Sequence, residues 1–172
     1  MGDPVHTDTA KTIEAEPFDA GAWAPYGWVP VRDTDPEDGD HRLRYEWDDA
    51  HLNIIGHSLD EVSRTDRGLR CDEMFHHVTH TQALMALNCD CVIVVAPAGH
   101  SIESPADLDS VKAFVLKPQE PIVLHQGTWH WGPYPLDDEP VTLFNVQGLR
   151  YAEDNGRVDL VGLGLSLEIT LR

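Results

Sequence analysis

The sequence predicts an all-β fold, an antiparallel β-barrel of about ten short strands with one or two short helices. Alternating apolar and polar segments of strand length recur from end to end, while a helical apolar period is sustained nowhere. Twelve prolines and thirteen glycines in 172 residues supply turn signals at intervals suited to short strands. Apolar runs rarely pass six residues, and a chain of this length builds one core, so a single domain over 1–172 is expected, with 1–11 as a loose polar tail.

In chain order, Thr12-Ile13-Glu14-Ala15-Glu16 alternates as an edge strand would. Asp19 to Trp23 suits one helical turn ended by Pro25-Tyr26-Gly27, and Tyr26 to Val29 begins the sheet. Asp33 to Asp40 reads as an acidic loop and His41 to Tyr45 as a short strand carrying Arg42 and Arg44. His51 to His57 is a strand with His51, Asn53, Ile55 and His57 on one face. Asp60 to Gly68 reads as a loop. If Cys71 to His77 is a strand, Glu73, Phe75 and His77 share one face and Met74 and His76 the other, so His76 and His77 cannot both point inward. Gln82 to Ala86 returns with Gln82 inward, and Asp90 to Ala96, nearly all apolar, heads for the centre of the sheet. Ser104 to Leu108 resembles a capped helical turn, Val111 to Lys117 is a strand, and so is Val141 to Val146. Leu163 to Leu171 alternates without a fault, and its uncovered aliphatic face predicts a homodimer, the alternative being packing within its own barrel.

Thirty acidic residues against twelve basic ones give a net charge of -18. That field repels phosphate backbones and anionic membranes, so the expected partner is a small molecule, with neither nucleic acid nor membrane. No signal-peptide pattern opens the chain, and a cytoplasmic location is expected. Cys71, Cys89 and Cys91 are expected as free thiols, Cys91 buried at the start of a strand, since Cys89-Asp90-Cys91 lacks zinc-ribbon spacing.

Two histidine-bearing stretches carry the chemistry. In Leu124-His125-Gln126-Gly127-Thr128-Trp129-His130-Trp131-Gly132-Pro133, a turn at Gly127 and bounding prolines present His130 rigidly. Some fifty residues upstream, Phe75-His76-His77-Val78-Thr79-His80-Thr81-Gln82 places three histidines within five positions. Histidine is both the proton-transfer group near neutral pH and the commonest metal ligand, so one shared site is expected.

Gly127-Thr128-Trp129-His130 resembles the Gly-Val-Trp-His signature of ureidoglycolate lyases. His77-Val78-Thr79-His80-Thr81-Gln82-Ala83-Leu84 resembles their His-Pro-Leu-Gly-Ser-Gln-Ala-Phe stretch. Thr12 to Trp28 and Val92 to Pro97 are similar to that family's opening phrase and buried strand, so the resemblance spans most of the chain. It implies a cupin-like antiparallel barrel, or jelly roll, and elimination of urea from ureidoglycolate in allantoin degradation, a branch of purine catabolism. In cupin terms His77, Gln82 and His130 fall at metal positions, while Phe75 replaces a histidine. The expected cofactor is therefore a divalent metal (zinc, manganese, iron or nickel) on His77, Gln82 and His130, with His80 as an added ligand and no organic cofactor. His77 or His130 would serve as base, Gln82 and Asn53 would orient the ureido group, and Arg44, Trp129 and Trp131 would complete substrate binding. The chain departs from the pattern near Gly56, where an arginine is missing, and at Gln147-Gly148, where the family tends to have Asp-Arg. A metal-dependent cupin isomerase or oxygenase, or a non-catalytic binding module, is the alternative.

Overall fold

In a computed structural model that describes residues 9–31 and 41–171, the chain forms fourteen strands, one helical turn and two 3-10 turns. The first five strands are β1 (Thr9–Pro17), β2 (Gly27–Trp28), β3 (Ala50–His57), β4 (Ser63–Thr65) and β5 (Gly68–Cys71). They are followed by β6 (Glu73–His76), β7 (Gln82–Ala86), β8 (Cys91–Ala96), β9 (Lys112–Leu116) and β10 (Ile122–Leu124). The chain ends with β11 (Trp129–Pro135), β12 (Val141–Gly148), β13 (Gly156–Asp159) and β14 (Leu165–Thr170). They make a nine-stranded sheet, β13-β6-β11-β8-β9-β1-β14-β5-β4, and a five-stranded sheet, β2-β10-β7-β12-β3. The all-β, cupin-like expectation therefore holds.

Every residue of β8 is buried, because its two faces serve two cores. Val92, Val94 and Ala96 join Met74, Trp131, Leu69, Leu165, Leu167 and Ile169. These residues come from both halves of the nine-stranded sheet, which thus curls round its own core. Cys91, Ile93 and Val95 join Leu84, Ile122, Leu124 and Leu143, which packs the second sheet face to face on the first. Phe114 anchors this second core among Trp23 at 5.6 Å, Tyr26 at 6.0 Å and Phe18 at 6.2 Å between ring centroids. The single α-helical turn, α1 (Ala20–Trp23), is capped by the Asp19 carboxylate on Ala22 N–H. All three cysteines are free and buried.

Several expectations change. β1 is interior, pairing in parallel with β14 through Thr9–Glu14 and with β9 through Ala15–Pro17, since local alternation reveals a half-buried face but not a partner 150 residues away. The tail expected over 1–11 is already strand from Thr9, while residues 1–8, and the acidic loop expected at 33–40, lie outside the described residues. His41 to Tyr45 is not a strand, and only Tyr45 makes a bridge, to His80. The loop expected at 60–68 contains β4 and part of a 3-10 turn capped by Ser58 and Glu61. Leu165, Leu167 and Ile169 of β14 are buried in the molecule's own core, which removes the uncovered face from which a homodimer was expected.

Leu167→Ala is expected to lower unfolding free energy by about 2–5 kcal/mol, as for other fully buried leucines. Urea denaturation of both proteins measures it.

Candidate functional site

Pairing with Phe75 of β6 and Val95 of β8 turns His130 toward the space between the sheets. Alternation then sends its neighbours away. Trp129 stacks on His76 on the opposite face, 3.8 Å apart and nearly coplanar, and Trp131 is buried in the first core. Neither tryptophan lines the cavity that holds His130, so their expected role in substrate binding is corrected. Arg44 is also corrected, being exposed and joined to the site only through backbone hydrogen bonds with Thr81.

The two histidine-bearing turns are fastened together. Gly127, at φ +79, aims its N–H at the His77 carbonyl at 2.6 Å, a backbone angle that favours glycine. Asp154, far downstream, holds the other turn: its carboxylate accepts from Val78 N–H at 3.2 Å, Thr79 N–H at 2.7 Å and the Thr79 hydroxyl at 2.6 Å. Burial alone would push this carboxyl up, but those hydrogen bonds outweigh it and hold the acid below its usual range.

Backbone carbonyls also select the imidazole tautomers. His77 Nδ1 lies 3.0 Å from the Asp154 carbonyl and His130 Nδ1 3.2 Å from the Thr128 carbonyl. A carbonyl only accepts, so each Nδ1 carries the proton and each Nε2 keeps its lone pair. The two rings stand 5.4 Å apart, and His80 stacks on His77 at 4.7 Å. Burial, reinforced by the neighbouring imidazoles, keeps all three neutral. It lowers His77, brings His80 down to about 4 and His130 to about 3.

A cavity of about 350 Å³ opens onto His77 and His130, lined also by Gln82, Asn53, Gln147, Tyr134 and Tyr151. A carboxamide chain crosses its floor. Gln82 Nε2 donates to Asn145 Oδ1 at 2.9 Å and to Gln147 Oε1 at 3.2 Å, and Asn145 Nδ2 donates to Asn53 Oδ1 at 2.7 Å. Gln82 Oε1 is left buried without a partner. Tyr134 is pushed up to about 12, first by burial and then by Glu61 and Glu73, so it is a phenol donor at every ordinary pH.

His80 sits behind His77, only 1% exposed, with neither ring nitrogen hydrogen-bonded. Its Nδ1 lies 3.5 Å from Asp154 Oδ2. His77, His80 and Asp154 can each offer a ligand atom within 4.8 Å of the others. His130, expected as a ligand, stands outside that group, and Gln82, also expected as a ligand, holds its amide against Asn145 and Gln147. Sequence reasoning missed Asp154, Asn145 and Gln147. Strand alternation could have found the last two, since Asn145 pairs with Asn53, whereas Asp154 lies in a turn with no spacing signal.

Solved structures of Cellulomonas parahominis L-ribose isomerase, with L-psicose and with L-ribose, are similar to 59% of this chain at 13% and 12% identity, each with a TM-score of 0.38. The chain spans 58% and 59% of those chains. No curated protein matches it. The ureidoglycolate lyase family model matches residues 10–161, which include both histidine turns, the carboxamide chain and Asp154, and the chain therefore belongs to the ureidoglycolate lyase family.

Proposed function

We propose that this protein is a carbon-nitrogen lyase that eliminates urea from ureidoglycolate, or from a related small hydroxy acid, to give glyoxylate. The observation that carries the reading is Gln82 Oε1, a buried acceptor without a partner at the wall of a cavity that also holds two neutral imidazoles. Leaving such an oxygen unpaired costs roughly 1–3 kcal/mol, and a ureido group, rich in N–H donors, satisfies it. Its amide is held by two donated hydrogen bonds, so the orientation of the oxygen is fixed before substrate arrives.

In the elimination, the substrate hydroxyl loses its proton, its oxygen forms a C=O bond, and the C–N bond breaks with its electron pair going to urea nitrogen. His130 Nε2 accepts the hydroxyl proton. Because burial holds this imidazole so far down, its protonated form is a strong acid that passes the proton to the departing nitrogen. One side chain thus serves both halves, and the proton balance closes. The Tyr134 phenol is available to the developing oxygen charge.

The substrate carboxylate needs a positive partner, yet the described cavity lining contains no lysine or arginine. His77, His80 and Asp154 fit a divalent cation such as zinc, manganese, iron or nickel, since the two buried His80 nitrogens otherwise have no hydrogen-bond partner. A cation held there would supply positive charge on the His77 side of the cavity, the charge that a carboxylate and a developing oxyanion require. This donor set differs from His77, Gln82 and His130, leaving Gln82 and His130 free to act on substrate. The setting we infer is cytoplasmic, and no helix among the described residues is long and apolar enough to cross a membrane.

Incubated with ureidoglycolate, the metal-loaded protein is expected to release urea and glyoxylate in equal amounts; release of neither would overturn the reading. His130→Ala should lower kcat by about 10²–10⁴-fold, and Gln82→Leu should act mainly on KM. Full activity in chelated protein of negligible metal content would remove the cation and leave the histidines alone as acid and base.

Neutral buried imidazoles also set a pH dependence. Unfolded histidine titrates near 6.5, whereas folded His130 titrates at about 3 and His80 at about 4. Between those limits the unfolded chain takes up protons that the native state refuses, so stability falls as pH drops from about 6.5 toward 3. The lowered Asp154 has the same sign. For metal-free protein the urea midpoint is expected to be lower at pH 5 than at pH 7.5, with a smaller difference in His130→Gln.

A further inference from the structure

One imidazole of the cavity takes no part in the elimination. Asn53, Ile55 and His57 alternate along the inner face of β3, and all three line the cavity. His57 Nδ1 lies 2.8 Å from Glu61 Oε2, on the 3-10 turn Leu59–Glu61. Glu61 Oε1 accepts from Ser58 N–H at 2.7 Å, so the carboxylate is held at both oxygens. Burial alone would raise this acid, but the hydrogen bonds from His57 and Ser58 outweigh it and keep it below its usual range. An ionised carboxylate only accepts, so His57 Nδ1 carries a proton and Nε2 is the nitrogen left for a ligand.

His77 and His130 rest Nδ1 on neutral backbone carbonyls, whereas His57 rests it on a carboxylate. A ring so placed can stand between two carboxylates, donating Nδ1–H to one and Nε2–H to the other. Facing it are Glu61 from the 3-10 turn and Tyr134 from β11, whose ring centroid is 5.0 Å away. Glu73 of β6 lies close enough to act on that phenol, and the described lining of the cavity contains no lysine or arginine.

We propose that His57, held by Glu61, binds the carboxylate of the substrate through Nε2–H. This assignment rests on reading the site as one for a small hydroxy acid. Ureidoglycolate carries its hydroxyl and its carboxylate on the same carbon, and Tyr134 and His57 stand side by side to meet them, with Gln82 taking the ureido group. Ile55, Pro133 and Leu143 add apolar surface to the lining, and a charge-assisted hydrogen bond is stronger beside such surface than in water. His57 thus supplies a positive partner from the chain itself, separate from any cation on His77, His80 and Asp154.

Glycolate and glycolamide test the assignment on the zinc-loaded full chain, because both have the hydroxyl, only one has the carboxylate, and neither has urea to lose. Calorimetry is expected to show glycolate binding weakened about tenfold or more in His57→Gln and less in Glu61→Gln, with glycolamide binding little changed in either. Unchanged glycolate affinity in a folded His57→Gln would overturn the proposal, as would equal losses for the two ligands or a wild type that does not bind glycolate. Should His57→Gln fail to fold, nitrogen NMR of wild type decides: with glycolate bound, both His57 ring nitrogens must be protonated, and a neutral ring refutes the assignment. Urea release tests the reaction separately, so a protein that releases urea but keeps its glycolate affinity in His57→Gln loses this inference alone.

Discussion

One backbone hydrogen bond, from Gly127 N–H to the His77 carbonyl, is the constraint on which the site depends. It joins the turn that begins β11 to the turn that follows β6, and so sets the distance between His130 and His77. β11 and β6 already pair at His130 and Phe75, so the bond closes a short, rigid loop of contacts. The geometry requires Gly127 at positive φ, which is why a glycine three residues before the histidine matters: it turns the backbone so that an amide reaches across.

Within that frame, electrostatics follows from burial. Three imidazoles packed between two apolar cores are costly to protonate, and each opposes charge on the next. They are kept as neutral lone-pair donors. Asp154 has the opposite outcome because backbone amides meet its charge. A glycine at 148 is part of the arrangement, since a Cβ there would lie 2.6 Å from His80 Nδ1. The arginine that the family tends to carry at this position and the His80 ring would compete for the same space. In this chain the imidazole occupies that space, and among the described residues no guanidinium lines the cavity.

Charge is distributed unevenly as a result. The strands β3, β7 and β12, which carry the carboxamide chain, contain no acidic residue in a chain that has thirty. A polar network of amides, buried except at the half-buried Asn53 and almost fully paired, tolerates the interior where carboxylates would not. Among the described residues, Gln82 Oε1 is its one buried orphan.

The sequence by itself determined the elements and the sides they show. Alternation grouped Asn53 with Ile55 on one face, kept His76 and His77 on opposite faces and turned Gln82 inward, the apolar run at β8 marked the centre, and Gly127 to His130 marked the turn, because these features depend on side-chain period and local backbone chemistry. Histidine chemistry linked the two stretches, and the family resemblance then gave them roles. Only the tertiary structure decided which strands pair: β1 runs parallel to β14, Asp154 reaches back over 75 residues to cap Thr79, and the tryptophans flanking His130 turn away from it. Contacts between residues distant in the chain carry no local signature. They are set by which apolar faces can be buried together, and that is resolved only when the whole chain packs.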